Sequence, residues 1–364
     1  MLLSELTAAA ARLALVGLAK NTGQTEALAA LLRELEQSGR RVGVTSVGRD
    51  GEQHDVIDAR IDKPPVVLPA GSLVATTDAL LSASGLSHEL LEQPDVRTPL
   101  GTVVVARIGR PGAIEVAGPS AAADVRAVSD AMLAHGAEQV LIDGAIDRRA
   151  ASSPLVADAL VMSTGAVLSG QLDEVVARTS DAVGLVRLRA IEDARVREAS
   201  QAGRSALLAD DREPVTLPAR FVLTSDAEQL AATLDSHPDA RWLVVEGALP
   251  EPFLAALVSV LRRRRRELTV VVADSTRVFV SDHGPEWYAR QGLALAVLRP
   301  IELRALTVNP VAPRSHRFDS SVLRHALGAA IADVEIFDVL DPTYRALAQE
   351  TLARPVGAAH PVQA

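Results

Sequence analysis

From Arg12 onward, apolar residues arrive in two alternating patterns. The continuous aliphatic runs over Arg12–Leu18 and Val42–Val47 read as buried strands, because a strand covered on both faces has no polar side to show. Between them Leu28, Leu31, Leu32 and Leu35 recur at helical spacing and predict a helix over Thr25–Ser38, with Gly39 as its stop signal. The alternation returns with a helix over Ala121–His135 and strands over Gln139–Ile142 and Ala157–Met162. A helix over Val167–Thr179 and a strand over Val183–Leu188 follow. Residues 55–118 break this rhythm. Pro64, Pro65 and Pro69, with the segments LVATT and GTVVVARIG, predict a small β-rich insertion of short strands and loops.

Residues 191–218 are charged, rich in Ala and Ser, and close on DDREPVTLP, which marks a linker. Beyond it the alternation restarts with RFVLT, a helix from about Asp226, RWLVVEGA, a further helix and LTVVVADSTRVFV. The expected organisation is therefore a first domain over 1–190, a linker over 191–218, a second α/β domain over 219–356 and a frayed tail over 357–364. QVLIDGA in the first half and RWLVVEGA in the second both put an acid and a glycine at the end of an aliphatic strand. Strand-end acids are common in α/β folds, so the echo fits duplication and coincidence alike.

Composition sharpens this picture. A chain of 364 residues is too long for one ordinary core, which implies two domains. Hydrophobic residues make up 48% of it and aromatics only 2%, so the cores are built from Ala, Val and Leu, as suits parallel α/β layers. Scarce aromatics and a net charge of −9 argue against a nucleic-acid partner. The absence of cysteine removes disulfides and thiolate chemistry. Eight histidines without HxH or HxxxH pairing give no dedicated metal site, and no GxSxG elbow supports a hydrolase triad. The first residues carry an early acid, Glu5, and no basic stretch, unlike a signal peptide, and no uncharged apolar run approaches the roughly 18 residues needed to span a bilayer. The expectation is a cytoplasmic protein with no membrane partner; a homo-oligomer is compatible with it.

The chemistry concentrates in GLAKNTGQT, Gly17 to Thr25, between the first predicted strand and the first predicted helix. A phosphate-binding loop needs glycines so that backbone N–H groups can close around phosphate oxygens, and it opens a helix whose N-terminus favours negative charge. The usual spacing is GxxxxGK[ST], with Lys on the terminal phosphates and Ser/Thr on Mg²⁺. Gly23, Gln24 and Thr25 match its second half with Gln for Lys, and the leading Gly17 stands one residue further upstream than the pattern. The reading makes Gly17, Lys20, Asn21, Thr22, Gly23, Gln24 and Thr25 the nucleotide-binding residues, with Lys20 as a displaced cation and Thr25 on the metal. The bland alternative is a glycine-containing turn with Lys20 solvated. An amide can hydrogen-bond to phosphate without neutralising it, so Gln24 permits binding of ATP but predicts slow turnover.

Other residues complete the site. VLIDGA ends in Asp143, where an acid holds Mg²⁺ directly or through water; the alternative is an acid capping the next turn. In VTSVGRDGE, Asp50 or Glu52 would join the metal shell or activate water and Arg49 would meet a phosphate, unless the segment is a polar surface turn. Asp147, Arg148 and Arg149 follow Asp143 and contact phosphate or form a solvated loop. STG (Ser163–Gly165) and VNP (Val308–Pro310) are further pocket candidates. The run Arg262–Arg266 reads first as a helix C-terminus, where cations complement the dipole, and second as a docking patch.

Taken together, VGLAKNTGQT, VTSVGRDGE, LPAGSLVATT, TPLGTVVVARI, IEVAGPS and LIDGAIDRRAASSP resemble the KamB-type reactivase subunit of lysine 5,6-aminomutase over roughly residues 10–190. The resemblance implies a P-loop-type α/β fold, with a mainly parallel sheet flanked by helices. On it Gly17, Lys20, Gly23, Thr25 and Asp143 map onto a site for ATP and Mg²⁺. It also implies a second ATPase reactivase subunit and an adenosylcobalamin-dependent aminomutase as partners, the chain assisting ATP-dependent exchange of damaged cobalamin. Two alternatives stand beside it: an ATP-dependent ligase or kinase of the dethiobiotin-synthetase type, against which Gln24 counts, and a noncatalytic subunit with a degenerate loop.

Overall fold

The computed structural model describes residues 1–48, 65–145, 149–210, 212–313 and 315–353. The chain divides into two compact units, Met1–Val176 with Leu303–Ala364 and Ala177–Glu302. The last segment therefore returns to the first unit, where a continuous second domain over 219–356 was expected.

The first unit is α/β, with a mainly parallel mixed sheet flanked by helices. Its strands run in the order Glu335–Phe337, Glu302–Asn309, Ala159–Gly165, Arg12–Gly17, Gln139–Ala145, Val42–Ser46, Leu73–Thr77, Gly101–Ile108 and His88–Glu92. Arg12–Gly17 lies between two parallel neighbours, pairing Leu15 with Asp143 on one side and with Val161 on the other. All six of its residues are buried, as the unbroken aliphatic run requires. The helix Gln24–Gln37 lays Leu28, Leu31, Leu32 and Leu35 into a core with Leu13, Leu15, Leu141 and Val161. Met132 of the helix Ala122–Ala134 meets the sheet at Gly43 and Val140, where a side chain on residue 43 would stand 3.0 Å from the Met132 sulfur.

Most of the described β-rich segment is built into this sheet. Leu73–Thr77 joins the sheet parallel to Val42–Ser46, and Gly101–Ile108 and His88–Glu92 extend it antiparallel. Val66–Leu68 and Gly112–Ile114 form a small antiparallel ladder of their own. Residues 55–64 and the tail 357–364 lie outside the described residues.

In the second unit, the strands Arg189–Ala190, Leu293–Val297, Leu268–Val272 and Trp242–Val244 are parallel, and Ala206–Leu208 and Val215–Thr216 add antiparallel. Leu254, Leu257 and Leu261 of the helix Glu251–Arg264 cover one set of strand side chains, including Leu243, Val270 and Val272. Val196 and Ala199 cover the other set, Val244, Val271 and Ala296. The described residues among 191–218 hold a helix and two strands where a linker was expected: Asp193 caps the helix Ala194–Gln201 by accepting from the N–H groups of Arg195 and Val196, and Ala206–Leu208 and Val215–Thr216 follow. Two local expectations also change. Val183–Leu188 is mostly the end of the helix Leu172–Val186, and RFVLT holds the short helix Phe221–Thr224. Both are short apolar stretches, for which pattern alone does not separate strand from helix.

Candidate functional site

The loop Gly17–Thr25 sits where the strand Arg12–Gly17 ends and the helix Gln24–Gln37 begins. Two left-handed residues turn the chain, Asn21 (φ 67°) and Gly23 (φ 91°). A side chain at Gly23 would meet the Asn309 Cβ at 3.1 Å, and one at Gly17 would fall 2.6 Å from the Thr22 hydroxyl and 2.9 Å from Gln24 Oε1. Close approach thus favours glycine at position 17, and the left-handed backbone favours it at position 23. Gly23 is the residue before the helix and no side chain caps it, so the helix opens with its first N–H groups available to an anion.

Gln24 points back under the loop. Its Oε1 accepts from the Gly17 N–H at 3.0 Å, while Nε2 donates to the carbonyls of Leu15 (2.9 Å) and Gly144 (2.8 Å) and to Asp143 Oδ1. One amide thus ties the loop to the ends of two adjacent strands. Asp143 is 5% exposed, in register with Leu15 and Ser46. The link between Gln24 and Asp143, which are 119 residues apart, carries no sequence signal.

The other loop residues divide into structural and available. Thr22 is buried and its hydroxyl donates to the Ala19 carbonyl at 2.9 Å, which holds the turn rather than a ligand. The exposed Asn21 gives its carbonyl to Asn309 Nδ2 at 2.9 Å. Lys20 is exposed and makes no ion pair among the described residues, and the half-buried Thr25 hydroxyl has no hydrogen-bond partner among them.

STG and VNP, the further pocket candidates of the sequence, both arrive at this loop. The Leu18 N–H donates to the Ser163 carbonyl at 2.9 Å, Ser163 and Thr307 share a hydroxyl hydrogen bond of 2.7 Å, and Asn309 braces the loop tip. Asp50, Arg49, Glu52, Asp147 and Arg148 lie outside the described residues. The arginine run lies elsewhere and follows the helix reading. The helix ends at Arg264, which pairs with Asp235, and Arg266 donates to the carbonyls of Leu234, His237 and Pro238.

For a divalent cation the candidate ligands are the Thr25 hydroxyl and the Asp143 carboxylate, which already accepts from Gln24. Among the described residues no group of three or more His, Cys, Asp or Glu side chains could hold a metal. Magnesium is usually held by one or two carboxylates together with phosphate oxygens, so this sparse donor set fits an ion that arrives with a nucleotide. Among the described residues no helix is long and apolar enough to cross a membrane. The chain matches no protein-family profile, no curated protein and no solved structure.

Proposed function

We propose that the first unit is a P-loop-type nucleotide-binding module that takes up ATP with Mg²⁺ at Gly17–Thr25. The observation that carries this reading is the uncapped helix start at Gly23, folded over a strand end beside Asp143 with Gln24 in the lysine position. Thr25 would hold the metal and Asp143 would reach it through water; the metal supplies charge neutralisation for the phosphates. Gly17 and Gly23 let the backbone approach the phosphates, and Lys20 is the loop's cation. Gln24 offers no fixed charge where a transition state develops it, so the module binds and hydrolyses slowly.

A nucleotide bound without fast chemistry acts through the conformations it stabilises. In this role, as its resemblance to KamB-type proteins implies, the chain is a cytoplasmic reactivase subunit. It works with a second ATPase subunit to release damaged cobalamin from an adenosylcobalamin-dependent aminomutase. Calorimetric titration of Mg-ATP into the wild type and Thr25→Ala tests the module. Binding is expected in the wild type, weakened by about tenfold in Thr25→Ala as one metal donor is lost. Absence of heat at millimolar nucleotide sinks the reading. The partner role is tested by adding the chain, ATP and the second subunit to a cobalamin-inactivated aminomutase; cofactor exchange should need all three.

A further inference from the structure

We infer that the helices Leu3–Thr7 and Pro342–Ala353 form one clasp on the first unit, which opens and closes as a piece, and that the Tyr344 hydroxyl is its catch. The clasp requires nothing of the nucleotide loop, whose ligand is a separate question.

Neither helix can hold itself in place. Leu3–Thr7 has five residues and Pro342–Ala353 has twelve, and isolated helices this short are marginal in water. Their docking comes from tertiary contacts. The twelve-residue helix has no buried residue among those described, and Tyr344 is the side chain through which it joins the core. The Tyr344 ring meets Phe337, which is buried, edge to face, with centroids 5.7 Å apart.

Polar contacts tie both helices to a third. Glu34, on the helix Gln24–Gln37, is 3% exposed and offers two carboxylate oxygens. Its Oε1 accepts from the Tyr344 hydroxyl at 2.6 Å, and its Oε2 from the Ser4 N–H at 2.9 Å. The Tyr344 oxygen in turn accepts from the Leu3 N–H at 3.0 Å. The first N–H groups of a helix find no partner within it, so Leu3 and Ser4 are satisfied from outside. Burial, with the Glu34 charge adding to it, pushes the Tyr344 phenol up, so it stays a donor at neutral pH.

This arrangement couples the two helices. Withdrawing Tyr344 leaves a buried carboxylate oxygen and the Leu3 N–H short of a partner at the same moment. The sheet has support of its own, since Leu28, Leu31 and Leu35 pack directly with Leu13, Leu15 and Leu141. The far end of Leu3–Thr7 is fastened separately: Gln139 Nε2 donates to the carbonyls of Thr7 and Ala10, at 2.8 Å each. That end serves as a hinge while the start of the helix swings. Opening uncovers Phe337 and the Glu34 side of Gln24–Gln37 and leaves the strands paired.

Hydrogen exchange followed by mass spectrometry on the full chain tests the clasp. In the wild type, residues 2–7 and 342–353 should show similar protection, lower than that of the strand Arg12–Gly17. Tyr344→Phe keeps the ring and removes the catch, and both segments should exchange about tenfold faster with the strand unchanged. Glu34→Gln takes away one carboxylate oxygen from the other side of the catch and should loosen the same two segments. Acceleration confined to 342–353 in both variants overturns the coupling. Equal acceleration in Arg12–Gly17 overturns the separate opening, and unchanged exchange in both segments overturns the role of the hydroxyl.

Discussion

In the first unit, Asp143 closes its strand buried, with Gln24 donating to it from the neighbouring strand's loop. In the second, Glu246 lies just past the strand Trp242–Val244, exposed, and its backbone N–H is held by the Ser205 hydroxyl at 3.1 Å. The local pattern of aliphatic strand, acid and glycine is nearly the same. The loop next door makes the difference. In the first unit Gly17–Thr25 folds back over the strand ends, whereas in the second the strand Leu268–Val272 runs on to Asp274, which caps its own turn through the Thr276 N–H at 3.1 Å. A strand-end acid becomes part of a site only when an adjacent strand supplies groups that face it.

Substitutions can break or sharpen this contrast. The largest effect is expected from Leu31→Ala, because Leu31 is fully buried between the helix behind the loop and the sheet. The loss should be about 2–5 kcal/mol, read as faster hydrogen exchange across residues 12–46. Next comes the pair of acids. Asp143→Ala should cost about 1–3 kcal/mol in chemical denaturation, since it removes a buried carboxylate hydrogen-bonded to Gln24 and leaves a gap at the strand end. Glu246→Ala should stay within about 0.5 kcal/mol. Equal effects would erase the distinction between the two strand ends.

The smallest effect is a pH dependence confined to the second unit. Burial pushes Glu251 up, but hydrogen bonds from the Ser281 hydroxyl, the N–H groups of Asp282 and Ser281, and the Tyr288 hydroxyl outweigh it. The carboxyl is held below its usual 4.5. A carboxylate depressed in the folded state adds stability above its unfolded value, and that stability is lost as pH falls through the folded one. Both tryptophans, Trp242 and Trp287, belong to this unit, so their fluorescence reports it. Glu251→Gln should be less stable than the wild type at pH 7, and the two should converge in acid below 4.5. A gap that persists in strong acid would assign the effect to packing instead.

Much of the first unit was legible because its signals are local. The stripe Leu28, Leu31, Leu32 and Leu35 specified a helix, the run before it a strand, and the glycines between them a loop; Gln24–Gln37 and Arg12–Gly17 follow within a residue or so. Asp143 was legible as a strand-end acid. Residues 191–218 were not, because charged and Ala-rich sequence suits a solvated helix as well as a linker, and the capping Asp193 decides in favour of the helix. Nor could periodicity reveal that Glu302–Asn309 belongs to the first unit's sheet, beside Ala159–Gly165, since a strand's pattern says which faces are buried and not which strand it pairs with.

By itself, then, the sequence determined the strand Arg12–Gly17, the helix Gln24–Gln37 and the glycine-containing loop between them, with Gln24 opening the helix, because backbone propensity and hydrophobic period act over a few neighbouring residues. The tertiary structure decided which strands share a sheet, that Asn309 braces the loop tip, and that Gln24 spends its amide on Asp143. The last two join residues 288 and 119 positions apart, and only the assembled sheet brings such partners within hydrogen-bonding distance.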